Sequence, residues 1–301
     1  MTIFPIDRWI TFARPAVALG LAVALFYPAS SWAQRAPSQG TPATAQESFQ
    51  PQSGQLGKDV VWVPTPDAVV EAMLDMAEVT EGDKVVDLGA GDGRIAIAAA
   101  RRGAHSLGIE YNEDMVALSR RNAARAGAHN AKFVQGDIFE SDFSDADVVT
   151  LYLLPELNER LRPTLLDMKP GTRVVSHQFT MGSWKPDAKR TIGGSDALFW
   201  IVPANVAGTW QVGQLDGDLQ LELEQEYQEL QARGRWGSED ARVRNVKLTG
   251  ADIRFTVTDR SGDVHHFVGV ADHDGRMTGT VTDGNGDQRP FTARRTSAVE
   301  G

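Results

Sequence analysis

Between Lys84 and Val202, short apolar runs alternate with helix-length stripes, and this alternation limits the fold more than any other feature of the chain. KVVDLG reads as a buried strand, and RIAIAAARRG as a helix ended by Gly103. SLGIE is a second strand, followed by EDMVALSRRNAARAG, a helix with Gly127 at its end. AKFVQGD and ADVVTLYLLP supply two more strands. PELNERLRPTLLDMKPG is helical with Pro163 inside it, TRVVSHQF is a fifth strand, and SDALFWIVP gives another near Ala197 to Val202. Strands alternating with helices predict a parallel α/β sheet with helices on both faces. Just upstream, Thr65 is the expected N-cap and Pro66 the first residue of a helix. Val69, Val70, Met73, Leu74 and Met76 form that helix's apolar face.

After about Pro203 the pattern changes. Turn signals recur in GQLDGD, TDRSGD, DHDG and DGNGD, separated by period-two runs such as IRFTV. Residues 204–297 therefore predict an all-β domain, a small antiparallel sandwich or barrel. DLQLELEQEYQELQARGR fits either a helix or a strand, and its neighbours favour the strand. At the other end, Arg8 and Arg14 precede the apolar run Ala16–Tyr27, and Ser31 and Ala33 are small residues at the spacing of a cleavage site. This is the pattern of a secretory signal peptide, residues 1–33, cut after Ala33. The apolar run has 12 residues, whereas a bilayer span takes about 20. Export to a periplasmic or extracellular location is the expectation, with a membrane-anchored chain as the alternative if the signal is not cut. Residues 34–58 read as a flexible polar linker, and 59–203 as the α/β domain.

Composition excludes several classes of function. With no cysteine, the chain has no disulfide, thiol nucleophile or thiolate metal site. Its formal net charge is −10 with both signs interspersed, which disfavours nucleic acid and anionic membrane as partners.

The chemistry concentrates at the strand ends of the α/β half. Asp87 closes a strand, and Gly89, Gly91 and Gly93 follow as D-x-G-x-G-x-G. A dinucleotide loop reads G-x-G-x-x-G and faces a pyrophosphate. Here the third glycine comes one residue early, and Asp92 would repel a pyrophosphate but not a ligand carrying an ammonium and a sulfonium. Glu110 ends the next strand, where a carboxylate accepts hydrogen bonds from ribose hydroxyls. Asp137 follows the third, where it can accept from an adenine amino group with Ile138 against the ring.

VVDLGAGDGR, GIEYN and FVQGDIF resemble the motifs of class I S-adenosylmethionine-dependent methyltransferases over residues 59–202. VWVPTP, DLGAGDGR, VVTLYLLPELNERLRP and PGTRVVSHQF look more narrowly like the lysine methyltransferases of mitochondrial ADP/ATP carriers and ATP synthase c-subunits, and their bacterial relatives. The resemblance implies a Rossmann-like seven-stranded sheet, S-adenosyl-L-methionine as cofactor and a lysine-bearing or membrane protein as substrate. It assigns Asp87, Gly89, Gly91, Gly93, Glu110 and Asp137 to the cofactor, beside the Ile138 contact read above, and puts Pro64 and Thr65 near the site mouth. The chain departs from that family's mitochondrial members in its signal-like N-terminus and in its β domain, for which substrate docking is the expected role.

Methyl transfer requires alignment and a neutral amine. In TLYLLPE, Tyr152 is the candidate to orient the amine and Glu156 to draw a cationic side chain inward, while a core aromatic and a helix-start carboxylate are the structural alternatives. His177 reads as a buried structural histidine. His265, His266 and His273 with Asp272 and Asp274 match no metal-ligand spacing, and DGNGD lacks the later positions of a calcium loop, so no metal is expected. Two other functions compete with a methyltransferase: a non-catalytic nucleoside-binding sensor or interaction module in the cell envelope, and an NAD-dependent oxidoreductase, which the glycine spacing and Asp92 oppose.

Overall fold

The computed structural model describes residues 49–56, 61–213, 218–272 and 274–297. The signal-like segment 1–33, most of the linker and His273 lie outside the described residues. Two antiparallel strands of two residues each, β1 (Gln55–Leu56) and β2 (Val61–Trp62), precede α1 (Asp67–Met76). Helix α1 begins one residue later than the sequence suggests. Pro66, extended at ψ 142°, is its N-cap, and the Pro66 carbonyl accepts from the amides of Val69 and Val70. The Thr65 side chain is thereby freed from capping and turns inward, where it is buried.

The alternation then runs as β3 (Lys84–Leu88), α2 (Arg94–Arg101), β4 (His105–Glu110), α3 (Glu113–Ala126), β5 (Ala131–Gln135), β6 (Val148–Leu151), α4 (Pro155–Leu166) and β7 (Arg173–His177). Two strands complete the sheet, β8 (Ala188–Ile192) and β9 (Ser195–Ile201). The seven strands lie in the order β5-β4-β3-β6-β7-β9-β8. The first five are parallel, and β9 runs antiparallel to both β7 and β8. Strand β8 is legible in the sequence only with difficulty, because AKRTI is almost wholly exposed and carries no apolar run. No helix joins β5 to β6. Asp137 opens a turn there instead, its Oδ1 accepting from Phe139 N at 3.0 Å.

Successive strand residues divide between the two faces, as the two-residue period of a strand requires. Val85, Val148, Val175 and Ala197 pack with Val70, Met73 and Leu74 of α1 and with Ile95 of α2. Val86, Leu88, Val149, Leu151, Val174 and Trp200 pack on the other face with Leu161 and Leu165 of α4. Helix α3 is capped by Asn112, whose Oδ1 accepts from the amides of Asp114 and Met115, and it ends at left-handed Gly127.

From Gly208 the chain winds into a closed antiparallel barrel of eight strands in sequence order. They are β10 (Gly208–Gly213), β11 (Leu219–Glu226), β12 (Glu229–Trp236), β13 (Glu239–Thr249), β14 (Asp252–Thr258), β15 (Val264–Ala271), β16 (Arg276–Thr282) and β17 (Gln288–Ser297). Closure comes from β17 pairing back to β10, which leaves no free edge. Leu219, Leu221 and Leu223 all point inward, so the helix-or-strand ambiguity resolves as a strand. Trp210, Phe255, Phe267 and Phe291 fill the interior, with Phe267 stacked on Phe255 and edge-on to Phe291. His265 and His266 point to opposite sides of β15: the first is buried beside Trp236 and Asp259, and the second lies outside against Thr256.

Candidate active site

The carboxyl ends of β3, β4, β5 and β6 open on a cavity of about 340 Å³, at the edge where open parallel sheets take their ligands. Asp87, Gly89, Gly91, Glu110, Asp137, Ile138 and Tyr152 all stand on its wall. Two of the predicted residues do not. Glu156 is exposed in the first turn of α4 and stays off the wall. Gly93 lies behind the wall as the left-handed N-cap of α2, where an added Cβ would come within 2.7 Å of the Phe133 ring and 2.8 Å of Ser119. Its glycine serves the packing of helix on strand.

Gly89 and Gly91 do border the cavity, with φ of 78° and 56°. Backbone in this region suits glycine, and Gly91 also leaves room for the indole of Trp62, whose Nε1 would be 2.7 Å from a Cβ there. The loop is tied to β4 through Glu110, whose two carboxylate oxygens accept from Gly91 N and Asn112 N, each at 2.9 Å.

Asp87 is the electrostatic centre. It is 2% exposed, and its Oδ1 accepts from the Thr150 hydroxyl at 2.7 Å, while Oδ2 is buried without a hydrogen-bond partner in the chain. Burial pushes its carboxyl up to about 7, and the nearby carboxylates of Asp92 and Glu110 add to the rise. A buried carboxylate oxygen without a donor is costly unless a ligand supplies one. The amino-acid end of S-adenosylmethionine carries an ammonium, so the residues present fit that cofactor.

The opposite wall is aromatic. Tyr152 and Phe179 lie nearly parallel with centroids 6.1 Å apart, and His177 packs against Tyr152 at 3.9 Å. Burial raises the Tyr152 phenol and lowers the His177 imidazole, so each is held in its neutral form around neutral pH. The Thr65 hydroxyl and His177 Nδ1 are 3.1 Å apart. Arg94 links the two sides of the site: its guanidinium donates to the Asp92 carboxylate (2.6 Å from NH2) and to the Thr65 carbonyl (2.8 Å from NH1). At the rim stand Val63, Tyr111 and Leu154, all exposed apolar side chains. Sequence reasoning missed Trp62, Arg94 and Phe179. All three lie inside phrases that resemble the family, Trp62 in VWVPTP, Arg94 in DLGAGDGR and Phe179 at the end of PGTRVVSHQF, and that position was the only signal for them.

The sheet order, the glycine loop and three strand-end acids around one cavity define a class I S-adenosylmethionine-dependent methyltransferase. The family model of the ANTKMT methyltransferase domain matches residues 87–188. A protein-lysine N-methyltransferase of Saccharolobus islandicus is 45% identical over 131 residues, which cover 42% of this chain and 81% of that protein. A lysine N-methyltransferase of Mus musculus named for the ATP synthase c-subunit is 32% identical over 166 residues, 49% of this chain and 67% of that protein. The solved structure of an RNA methyltransferase from Salinibacter ruber in complex with S-adenosyl-L-homocysteine is 52% identical, covering 46% of this chain and 94% of that one, with a TM-score of 0.46. The chain belongs to the family of these lysine methyltransferases, and it is a methyltransferase that uses S-adenosylmethionine.

Proposed function

We propose that the chain methylates the side-chain amine of a lysine in a protein substrate. The observation that carries this reading is the pairing, in one cavity, of the orphaned Asp87 oxygen with the neutral aromatic wall of Tyr152 and Phe179. Both lysine methyltransferases described above are named for lysine N-methylation.

The bound cofactor supplies a methyl group already activated on a sulfonium. The chain holds it: Asp87 takes the ammonium, Glu110 the ribose hydroxyls, Asp137 and Ile138 the adenine, and Gly89 and Gly91 let the ligand lie against backbone. Beyond the cofactor, Tyr152 and Phe179 strip water from the incoming amine, which favours its neutral, nucleophilic form. The Tyr152 hydroxyl keeps its proton and orients the amine by hydrogen bonding. Val63, Tyr111 and Leu154 at the rim suit an acceptor whose lysine has apolar neighbours.

Incubating the purified chain with S-adenosylmethionine and a cell extract tests the reading. It predicts S-adenosylhomocysteine together with methyl increments on lysine in peptide mass spectra; cofactor binding with no methylated protein would instead indicate a sensor. Export by residues 1–33 is also part of the proposal, supported by their sequence pattern and tested by fractionation with sequencing of the mature N-terminus. Among the described residues, no helix is long and apolar enough to cross a membrane.

A further inference from the structure

The turn between β11 and β12 contains Tyr227 at φ 54°. Tight hairpins place glycine, asparagine or aspartate in that region, and a bulky aromatic there is a strained exception. The compensation lies outside the barrel. The Tyr227 ring packs against the methyltransferase core and stacks on Trp184, with centroids 6.1 Å apart and planes 20° from parallel. Its hydroxyl is 2.8 Å from Ser183 Oγ, and the Arg162 guanidinium lies 5.7 Å from the ring centroid. Gln228, the other turn residue, accepts from Trp184 Nε1 at 3.0 Å and donates to the Lys185 carbonyl at 2.9 Å. Residues 183–185 are thus gripped by one barrel hairpin.

These residues belong to the connection between β7 and β8, whose first part carries Phe179 into the cavity wall. The intervening chain has little slack. The Phe179 carbonyl accepts from Ser176 Oγ at 2.8 Å, and the Met181 carbonyl accepts from Arg162 at 2.8 Å. At Gly182, with φ 63°, a Cβ would come within 2.7 Å of the Arg162 guanidinium. The Trp184 carbonyl is fixed by Trp200 Nε1 at 3.0 Å. Phe179 is therefore held directly by its own sheet and by Asn158 of α4, whose Nδ2 donates to the Phe179 carbonyl at 3.3 Å, and the barrel grips the same connection a few residues further on.

We propose that the Tyr227–Gln228 hairpin is a clamp that positions Phe179 in the acceptor wall, so that the barrel contributes to methyl transfer itself. The proposal rests on Tyr152 and Phe179 forming the acceptor side of the site. Tyr227 and Gln228 are positioning residues that act through Trp184 and the connection to Phe179. Misplacement of a reacting group by about 1 Å costs on the order of 100-fold in rate, so loosening the clamp should slow transfer about 10- to 100-fold while leaving the cofactor affinity unchanged.

The test places 4-fluorophenylalanine at position 179 of the full chain and compares the parent with Tyr227→Asn and Gln228→Ala, each saturated with S-adenosylhomocysteine. Asparagine accepts the left-handed backbone but lacks the ring and hydroxyl, and Gln228→Ala serves if the first variant fails to fold. The parent is expected to give one narrow fluorine resonance; the variants should shift or broaden it at unchanged S-adenosylhomocysteine affinity. Tritium transfer from S-adenosylmethionine to the protein fraction of a cell extract should fall in parallel. An unchanged resonance in the folded variants would overturn the clamp, and a changed resonance with an undiminished transfer rate would overturn its part in the reaction. If no protein is methylated by the parent, the lysine reading fails, while the fluorine resonance still decides the clamp.

Discussion

Replacing Asp87 with asparagine should stabilise the cofactor-free protein and weaken cofactor binding, two effects of one buried charge. The folded carboxyl holds its proton up to about 7, against 3.8 for the ordinary side chain. Between those values the folded state binds the more protons, so stability falls as pH rises through the window, and the whole penalty is present above about pH 7. A shift of roughly three units corresponds to about 4 kcal/mol, an upper figure because relaxation and entering water reduce it. The asparagine amide oxygen would still accept from the Thr150 hydroxyl, while its nitrogen would replace the unpartnered Oδ2 as a buried donor, which offsets about 1–3 kcal/mol of the gain. Urea denaturation at about pH 8 should show the variant more stable by up to about 3 kcal/mol, with the difference shrinking toward about pH 5. Calorimetric titration should show S-adenosylmethionine bound about 10- to 100-fold more weakly, the size of a lost charge-assisted hydrogen bond. A variant less stable than the parent at the higher pH, or one binding the cofactor as tightly, would refute this account of Asp87.

Because the ammonium requires the ionised carboxylate, cofactor affinity should rise with pH from about 6 to about 8 and binding should release a proton, which calorimetry in buffers of different ionisation enthalpy would detect. Gly93→Ala should cost about 1–3 kcal/mol in a denaturation curve, from the left-handed backbone and the Phe133 contact together; an unchanged midpoint would mean that the loop relaxes freely. Thr65→Val should lower stability by about 1 kcal/mol and change the His177 nitrogen shifts, and Thr65→Ser should restore both.

The centre of the sheet was legible because β3 and β6 are buried on both faces and read as mainly apolar runs, as in KVVDL and VVTL. The site acids were legible because each stands at or just after the carboxyl end of a strand. Where the chain departs from periodic burial, the sequence is silent. Exposed AKRTI hid β8, and the choice between sandwich and barrel depended on a long-range pairing of β10 with β17 that no local pattern encodes. Thr65 looked like a cap because threonine before proline usually is one, and its partner His177 lies 112 positions away. Phe179 and Trp62 reach the cavity from loop and short-strand positions with no period to announce them. Glu156 matched by motif position alone, and helix α4 leaves it exposed to solvent.

The most direct measurement follows a tritiated methyl group from S-adenosylmethionine into protein, with amino-acid analysis of the acid hydrolysate for the parent and Asp87→Asn. The account predicts label eluting with Nε-methylated lysines for the parent and little for the variant. Label recovered on another residue, or S-adenosylhomocysteine formed with no label in protein, would contradict it.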